Sequence, residues 1–171
     1  MENWYLACHK TGKHNAFKAQ MFLSQPQISA IVFLPQICSY QPRSDRPGQF
    51  RKLMEPLFPG YMFICFDPEI THTSKISGCP GLSHLVRFAD KIMPLHDRIV
   101  EQIMQLPVCA HAPVLTGKGT SAPSCSDHPV PAPAFDDKLL NHVVAAKDGE
   151  IRSALFYHFL QSVSGAFLTA R

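Results

Sequence analysis

The residues most able to do chemistry are the cysteines and histidines, six and nine of them in a chain of 171. Catalysis by a thiolate or imidazole needs a nucleophile beside its base, and a metal needs ligands at short, fixed spacing. Cys8, Cys38, Cys65, Cys79, Cys109 and Cys125 are scattered, with no C-x-x-C pair. None lies in a nucleophile motif, Cys65 sits mid-strand where a structural thiol is usual, and paired carboxylates and a Gly-rich phosphate loop are absent. This disfavours a thiol or histidine hydrolase, and the sequence predicts a non-enzyme with reduced thiols, no metal and no cofactor. Cations are the other candidates. Lys10 and Lys13 flank a turn at Gly12, and Lys18 follows on the outer face of a helix, so the three could form one phosphate-contacting rim. They fit an ordinary solvated face equally well. A formal charge of +3 permits a nucleic-acid partner without requiring one.

The elements that must position these groups are organised around residues 53–67, the densest apolar stretch, punctuated by Pro56, Pro59 and Gly60. After the Phe58-Pro59-Gly60 turn, Tyr61 to Phe66 has strand length. Alternation puts Tyr61, Phe63 and Cys65 on one face and Met62, Ile64 and Phe66 on the other. A strand apolar on both faces needs two covers, one of them supplied from outside the domain's own helices. Trp4 to Cys8 reads as a strand, His14 to Ser24 as a helix with Phe17, Met21 and the flanking Ala16, Phe22 and Leu23 in its stripe, and Ile31–Leu34 and Ile37–Tyr40 as strands. Residues 41–52 form a turn-rich, positively charged loop. Asp67-Pro68 opens a helix carrying the polar cluster His72-Thr73-Ser74-Lys75, Gly81 to Phe88 is a strand, and Pro94 to Leu106 is a helix with Leu95, Ile99, Ile103 and Leu106 inward. Without a regular β-α-β rhythm, the fold class is α+β, an antiparallel sheet flanked by helices.

Composition changes at Pro107. Residues 107–134 are Pro-rich without apolar periodicity and read as a linker between a domain at 1–106 and a tail at 135–171. In the tail, Phe135, Leu139, Leu140, Val143 and Val144 follow helical spacing, and Ile151, Leu155, Phe156, Phe159, Leu160 and Val163 form a second stripe that Gly165 is expected to end. A helical hairpin this small cannot bury its own apolar face. The exposed face of the central strand and the hairpin are expected to cover each other. No run approaches the roughly 20 apolar residues needed to span a bilayer, and the start lacks a signal-peptide layout, so a cytoplasmic monomer without membrane contact is expected.

Trp4-Tyr5-Leu6, Glu55-Pro56-Leu57-Phe58-Pro59-Gly60-Tyr61 and Gly81-Leu82-Ser83-His84-Leu85-Val86-Arg87-Phe88 together resemble the N-terminal domain of the NusG family. The resemblance is strongest to its specialised RfaH-type, plasmid-borne branch. It implies a transcription elongation factor and antiterminator that docks Tyr5, Leu6, Phe58, Tyr61, Phe63 and Phe88 on the clamp helices of RNA polymerase. A second contact, to the gate-loop region, would come from His72, Thr73 and Ser74, and Lys10, Lys13 and Lys18 would meet DNA of the paused complex. It further implies autoinhibition by the tail through Phe135, Leu139, Leu155, Phe156 and Phe159, with Glu55 and Arg152 as an exposed ionic pair between domain and tail, worth about 0.2–1 kcal/mol.

The chain departs from the family in the tail. Pro129, Pro131 and Pro133 cannot lie in interior strands, which argues against conversion of the tail to a KOW β-barrel and against recruitment of a ribosomal protein. The tail reads chiefly as a removable cover. Thr11, Phe22 and Pro80 stand where the RfaH type has basic residues or histidine, so altered DNA recognition is expected. A sequence-non-specific DNA-binding module is the alternative from another class.

Overall fold

The computed structural model describes residues 1–12, 14–106 and 137–168. The elements run β1 (Asn3–His9), α1 (Asn15–Leu23), β2 (Ile31–Phe33), β3 (Gln36–Pro42), β4 (Phe50–Pro56), β5 (Tyr61–Phe66), α2 (Thr73–Ser77), β6 (Leu82–Leu85), α3 (Asp97–Met104), α4 (Asp137–Ala145) and α5 (Gly149–Leu168). Four strands form an antiparallel sheet in the order β2-β5-β1-β6, and β3 and β4 pair separately as a ribbon. The expected α+β architecture, with helices on an antiparallel sheet and a helical tail, is what is seen.

β5 is central because its side chains serve two cores. Met62, Ile64 and Phe66 join Tyr5, Ala7, Ala19, Leu23, Ile76 and Leu85 on one side, under α1 and α2. Phe63 joins Leu6, Phe58, Val86, Phe88, Ile99 and Ile103 on the other, under α3 and the tail helices. The turn feeding β5 depends on Gly60, whose φ of 88° lies where a side chain is strained. Its carbonyl accepts from the His9 N–H at 3.0 Å, fixing the register of β1 against β5.

Several local expectations change. In α1 the buried residues are Ala19 and Leu23, while Phe17 and Met21 are 58% and 61% exposed, because small Ala19 gives the close approach to the sheet. The helix after Asp67 starts only at Thr73, with His72 as its cap. Pairing in β6 stops at Leu85, after which Phe88 bridges to Lys91 through positive-φ residues Ala89 and Asp90. α3 starts at Asp97 rather than Pro94, since Leu95 is bridged to Trp4 and His96 caps the helix by accepting from the Arg98 N–H. β4 extends back to Phe50 into the expected loop. α5 continues past Gly165 to Leu168, and Ile151 is exposed rather than inward. The linker, and Lys13 and Phe135, lie outside the described residues.

The apolar face of the sheet and its helical cover

The first layer of the site is dictated by strand alternation. β1 places Leu6 opposite Phe63, and the turn before β5 brings Phe58 beside them, with ring centroids of Phe58 and Phe63 6.4 Å apart. Val86 and Phe88 extend this surface after β6, and Tyr61 packs at its margin half-buried. Burial raises the Tyr61 phenol above its ordinary pKa, so it stays neutral.

Tyr5 is the correction. It lies on the opposite face, 5% exposed, with its ring 4.6 Å from Phe66. Alternation alone separates Tyr5 from Leu6 and puts Trp4 and Cys8 on the Leu6 side, and both pack against that core. A tyrosine held between strands and α-helices does not share a face of the sheet with Phe63.

The second layer is the tail. Phe156 enters the centre of the face, stacked on Phe58 at 4.2 Å with an interplanar angle of 12°, and edge-on to Phe63 at 5.8 Å. Tyr157 stacks on Phe88 at 5.9 Å. Phe156, Phe159, Leu160 and Val143 are buried with the sheet residues, and Leu155 packs partly buried against them. Leu139 falls within α4. The face that sequence left uncovered is thus covered by this chain's own hairpin.

Polar groups fix the hairpin's position. Asp148 opens α5 by accepting from the N–H groups of Glu150 and Ile151 at 2.7 and 3.2 Å. Arg152 is buried, 2% exposed. Its Nε–H donates to the Leu57 carbonyl at 2.9 Å, and one terminal nitrogen donates to the carbonyls of Ala146 and Lys147 at 3.0 Å each. Those last two acceptors lie in the turn that follows α4, so Arg152 also ties that turn to α5. The Glu55 carboxylate stands 3.9 Å from the guanidinium, itself partly exposed. The expectation of an exposed ionic pair is therefore corrected: Arg152 is a buried donor to three backbone carbonyls, and Glu55 is a long ionic neighbour. Beside it the Ser153 hydroxyl donates to the Pro59 carbonyl at 3.0 Å. Gly149 lies so close to Pro59 that a Cβ there would sit 2.6 Å from its Cγ. Sequence reasoning found Glu55 and Arg152 but missed the contacts of Leu57, Pro59 and Gly149, which are made by backbone atoms or depend on the absence of a side chain, and the hydroxyl bond of Ser153.

The remaining candidates lie elsewhere. The His72 imidazole caps α2, its Nδ1 accepting from the Ser74 N–H at 3.2 Å and 2.7 Å from the Ser74 hydroxyl. Lys75 donates to the Gln27 carbonyl at 3.0 Å. α2 buries Ile76 in the core on the other side of the sheet, so His72, Thr73 and Ser74 are not brought together with Phe63. Lys10 and Lys18 are exposed, on the turn and on α1 respectively. Burial pushes the Cys8, Cys65 and Cys79 thiols up from their ordinary pKa, leaving them protonated and poorly nucleophilic. Among the described residues, no helix is long and apolar enough to cross a membrane.

Residues 2–104 match the family described as transcription termination factor NusG. A solved structure described as domain interaction in Thermotoga maritima NusG is similar at a TM-score of 0.35 and 20% identity, over 62% of this chain and 57% of that one. This chain therefore spans a little over half of that protein's length. With more than half of its residues inside the family match, the chain belongs to the NusG family of transcription factors.

Proposed function

We propose that this protein is a transcription elongation factor and antiterminator of the RfaH-type branch, whose apolar sheet face docks on the clamp helices of RNA polymerase. The observation that supports the reading is the Phe58, Phe63 and Phe156 cluster, in which an apolar face of the sheet is filled by the chain's own tail. A pair of polymerase helices would present to Leu6, Phe58, Phe63 and Phe88 the same kind of apolar surface that α5 presents now. Docking therefore requires the hairpin to leave, and the closed form is autoinhibited. Trp4 replaces Tyr5 in the docking set, because it lies on the correct side. His72, Thr73 and Ser74 supply a second contact to the gate-loop region, and Lys10, Lys13 and Lys18 hold DNA phosphates. Bridging the cleft in this way disfavours pausing without any cofactor.

The test compares the full-length protein with a chain ending at Leu106 for binding to purified RNA polymerase without a DNA signal. Much tighter binding by the shorter chain supports the reading. Equal binding means the hairpin covers a surface the polymerase does not use, and no binding by either chain favours the DNA-binding module.

A further inference from the structure

The outer part of the β3–β4 ribbon, residues 41–52, takes no part in this function. Residues 41–52 carry four cations, Arg43, Arg46, Arg51 and Lys52, against one acid, Asp45, so this short segment holds a charge equal to the +3 of the whole chain. Asp45 is engaged by Arg43 through both carboxylate oxygens, at 3.0 and 2.6 Å. The uncompensated charge is therefore at Arg46, Arg51 and Lys52, all exposed. The register pairs Tyr40 with Lys52 and Gln41 with Arg51, placing the two cations at consecutive positions of β4 and hence on opposite faces of the ribbon, with Arg46 at its tip. Arg51 is braced by a bond to the Gln41 side-chain oxygen at 3.1 Å.

We propose that this ribbon is a second nucleic-acid contact that enters the major groove of duplex DNA tip-first. The argument is charge complementarity and shape. Cations on both faces and at the tip do not suit a flat anionic surface, which would meet only one face. They suit a groove with a row of phosphates on each side. A two-stranded ribbon with its side chains is about 10 Å thick, and the major groove of B-DNA is about 12 Å wide. The A-form groove of duplex RNA is too deep and narrow for it. The ribbon is a separate element from the Lys10 and Lys18 rim, and its contact does not depend on polymerase docking.

The experiment measures binding of the full chain to a mixed-sequence duplex of DNA by fluorescence anisotropy across a salt series. It compares wild type, the triple variant Arg46→Gln/Arg51→Gln/Lys52→Gln, and Lys10→Gln/Lys18→Gln. Neutralising three phosphate contacts makes the salt slope shallower by about 2.7, so between 50 and 200 mM salt the wild type loses roughly 40-fold more affinity than the triple variant. The lysine variant keeps the ribbon's share of the slope, and a duplex of RNA shows no difference between wild type and triple variant. The single variant Arg46→Gln, at the tip, lowers the slope by about 0.9 and serves if the triple variant loses its circular dichroism spectrum. Equal DNA slopes for wild type and the triple variant overturn the proposal, as does an equal loss on duplex RNA. So does self-association of the triple variant with unchanged DNA affinity, which would mean that the cations only guard the ribbon's open edges.

Discussion

Replacing Arg152 by Ala should open the closed form far more than replacing Glu55 by Gln, and the distances set the scale. One Arg152 bond crosses from tail to sheet domain, Nε–H to the Leu57 carbonyl at 2.9 Å. A hydrogen bond from a charged donor contributes about 1.5–3 kcal/mol. At about 1.4 kcal/mol per tenfold, its loss raises the opening constant roughly 10- to 150-fold. The Glu55 contact, 3.9 Å long and partly exposed on the carboxylate side, is worth about 0.2–1 kcal/mol, or roughly 1.4- to 5-fold. Native-state amide exchange of α5 between Phe156 and Leu160 reads the opening constant directly. Arg152→Lys separates the two ideas, because an ammonium keeps the charge opposite Glu55 but cannot span three carbonyls. It should behave like Arg152→Ala. The α4 amides are followed alongside, since both Arg152 variants also free the Ala146 and Lys147 carbonyls. Exchange restored by Lys, or accelerated as much by Glu55→Gln as by Arg152→Ala, would refute the carbonyl latch and return the ionic pair to first place.

Phe156→Ala removes the ring between Phe58 and Phe63 and should cost about 3–5 kcal/mol. The loss should appear as α5 exchange at near-random-coil rates while β5 amides stay protected, and loss of β5 protection would contradict the two-core description. Gly149→Ala should push the first turn of α5 off Pro59, because the new methyl would stand 2.6 Å from its Cγ; a crystal structure of the variant with α5 unmoved would contradict this. Alkaline pH should weaken the fold. The Cys65 and Cys79 thiols and the Tyr5 phenol are raised, first by burial, so the folded chain holds protons that the unfolded chain releases. Their contribution is complete below the unfolded thiol pKa of about 8.5 and declines as pH rises above it. The urea midpoint should be lower at pH 9.5 than at pH 7.5, and an unchanged midpoint would contradict the assignment.

Much of the sheet was legible because it rests on period-two patterning. The run from Tyr61 to Phe66 announced two apolar faces, and the need for an external cover followed from them. The same pattern applied to β1 separates Tyr5 from Leu6, but the family resemblance grouped them, and the structure sides with the pattern. Helix ends were less legible. His72 and His96 cap α2 and α3 through ring nitrogens, a role that sequence signals assign first to Ser, Thr, Asp and Asn. The stripe of α1 was legible at Leu23, Ala16 and Phe22 but misplaced at Phe17 and Met21, because Ala19 counts for little on a hydropathy scale, yet its small size permits the closest packing. Arg152 was legible as a charge and illegible as a donor to carbonyls, since backbone acceptors have no letter in the sequence.

The division of β5 between two cores has a consequence for the protein's life in solution. The core under α1 and α2 does not involve the tail, so a domain stripped of its hairpin would still hold one of its two cores. It would, however, present Leu6, Phe58, Phe63 and Phe88 to water as one contiguous oily patch, and such patches draw copies of a protein together. An opened molecule must therefore be captured quickly or be lost to clumping. If the face docks as proposed, opening would be productive only where a partner surface stands ready to cover Leu6, Phe58, Phe63 and Phe88 in the hairpin's place.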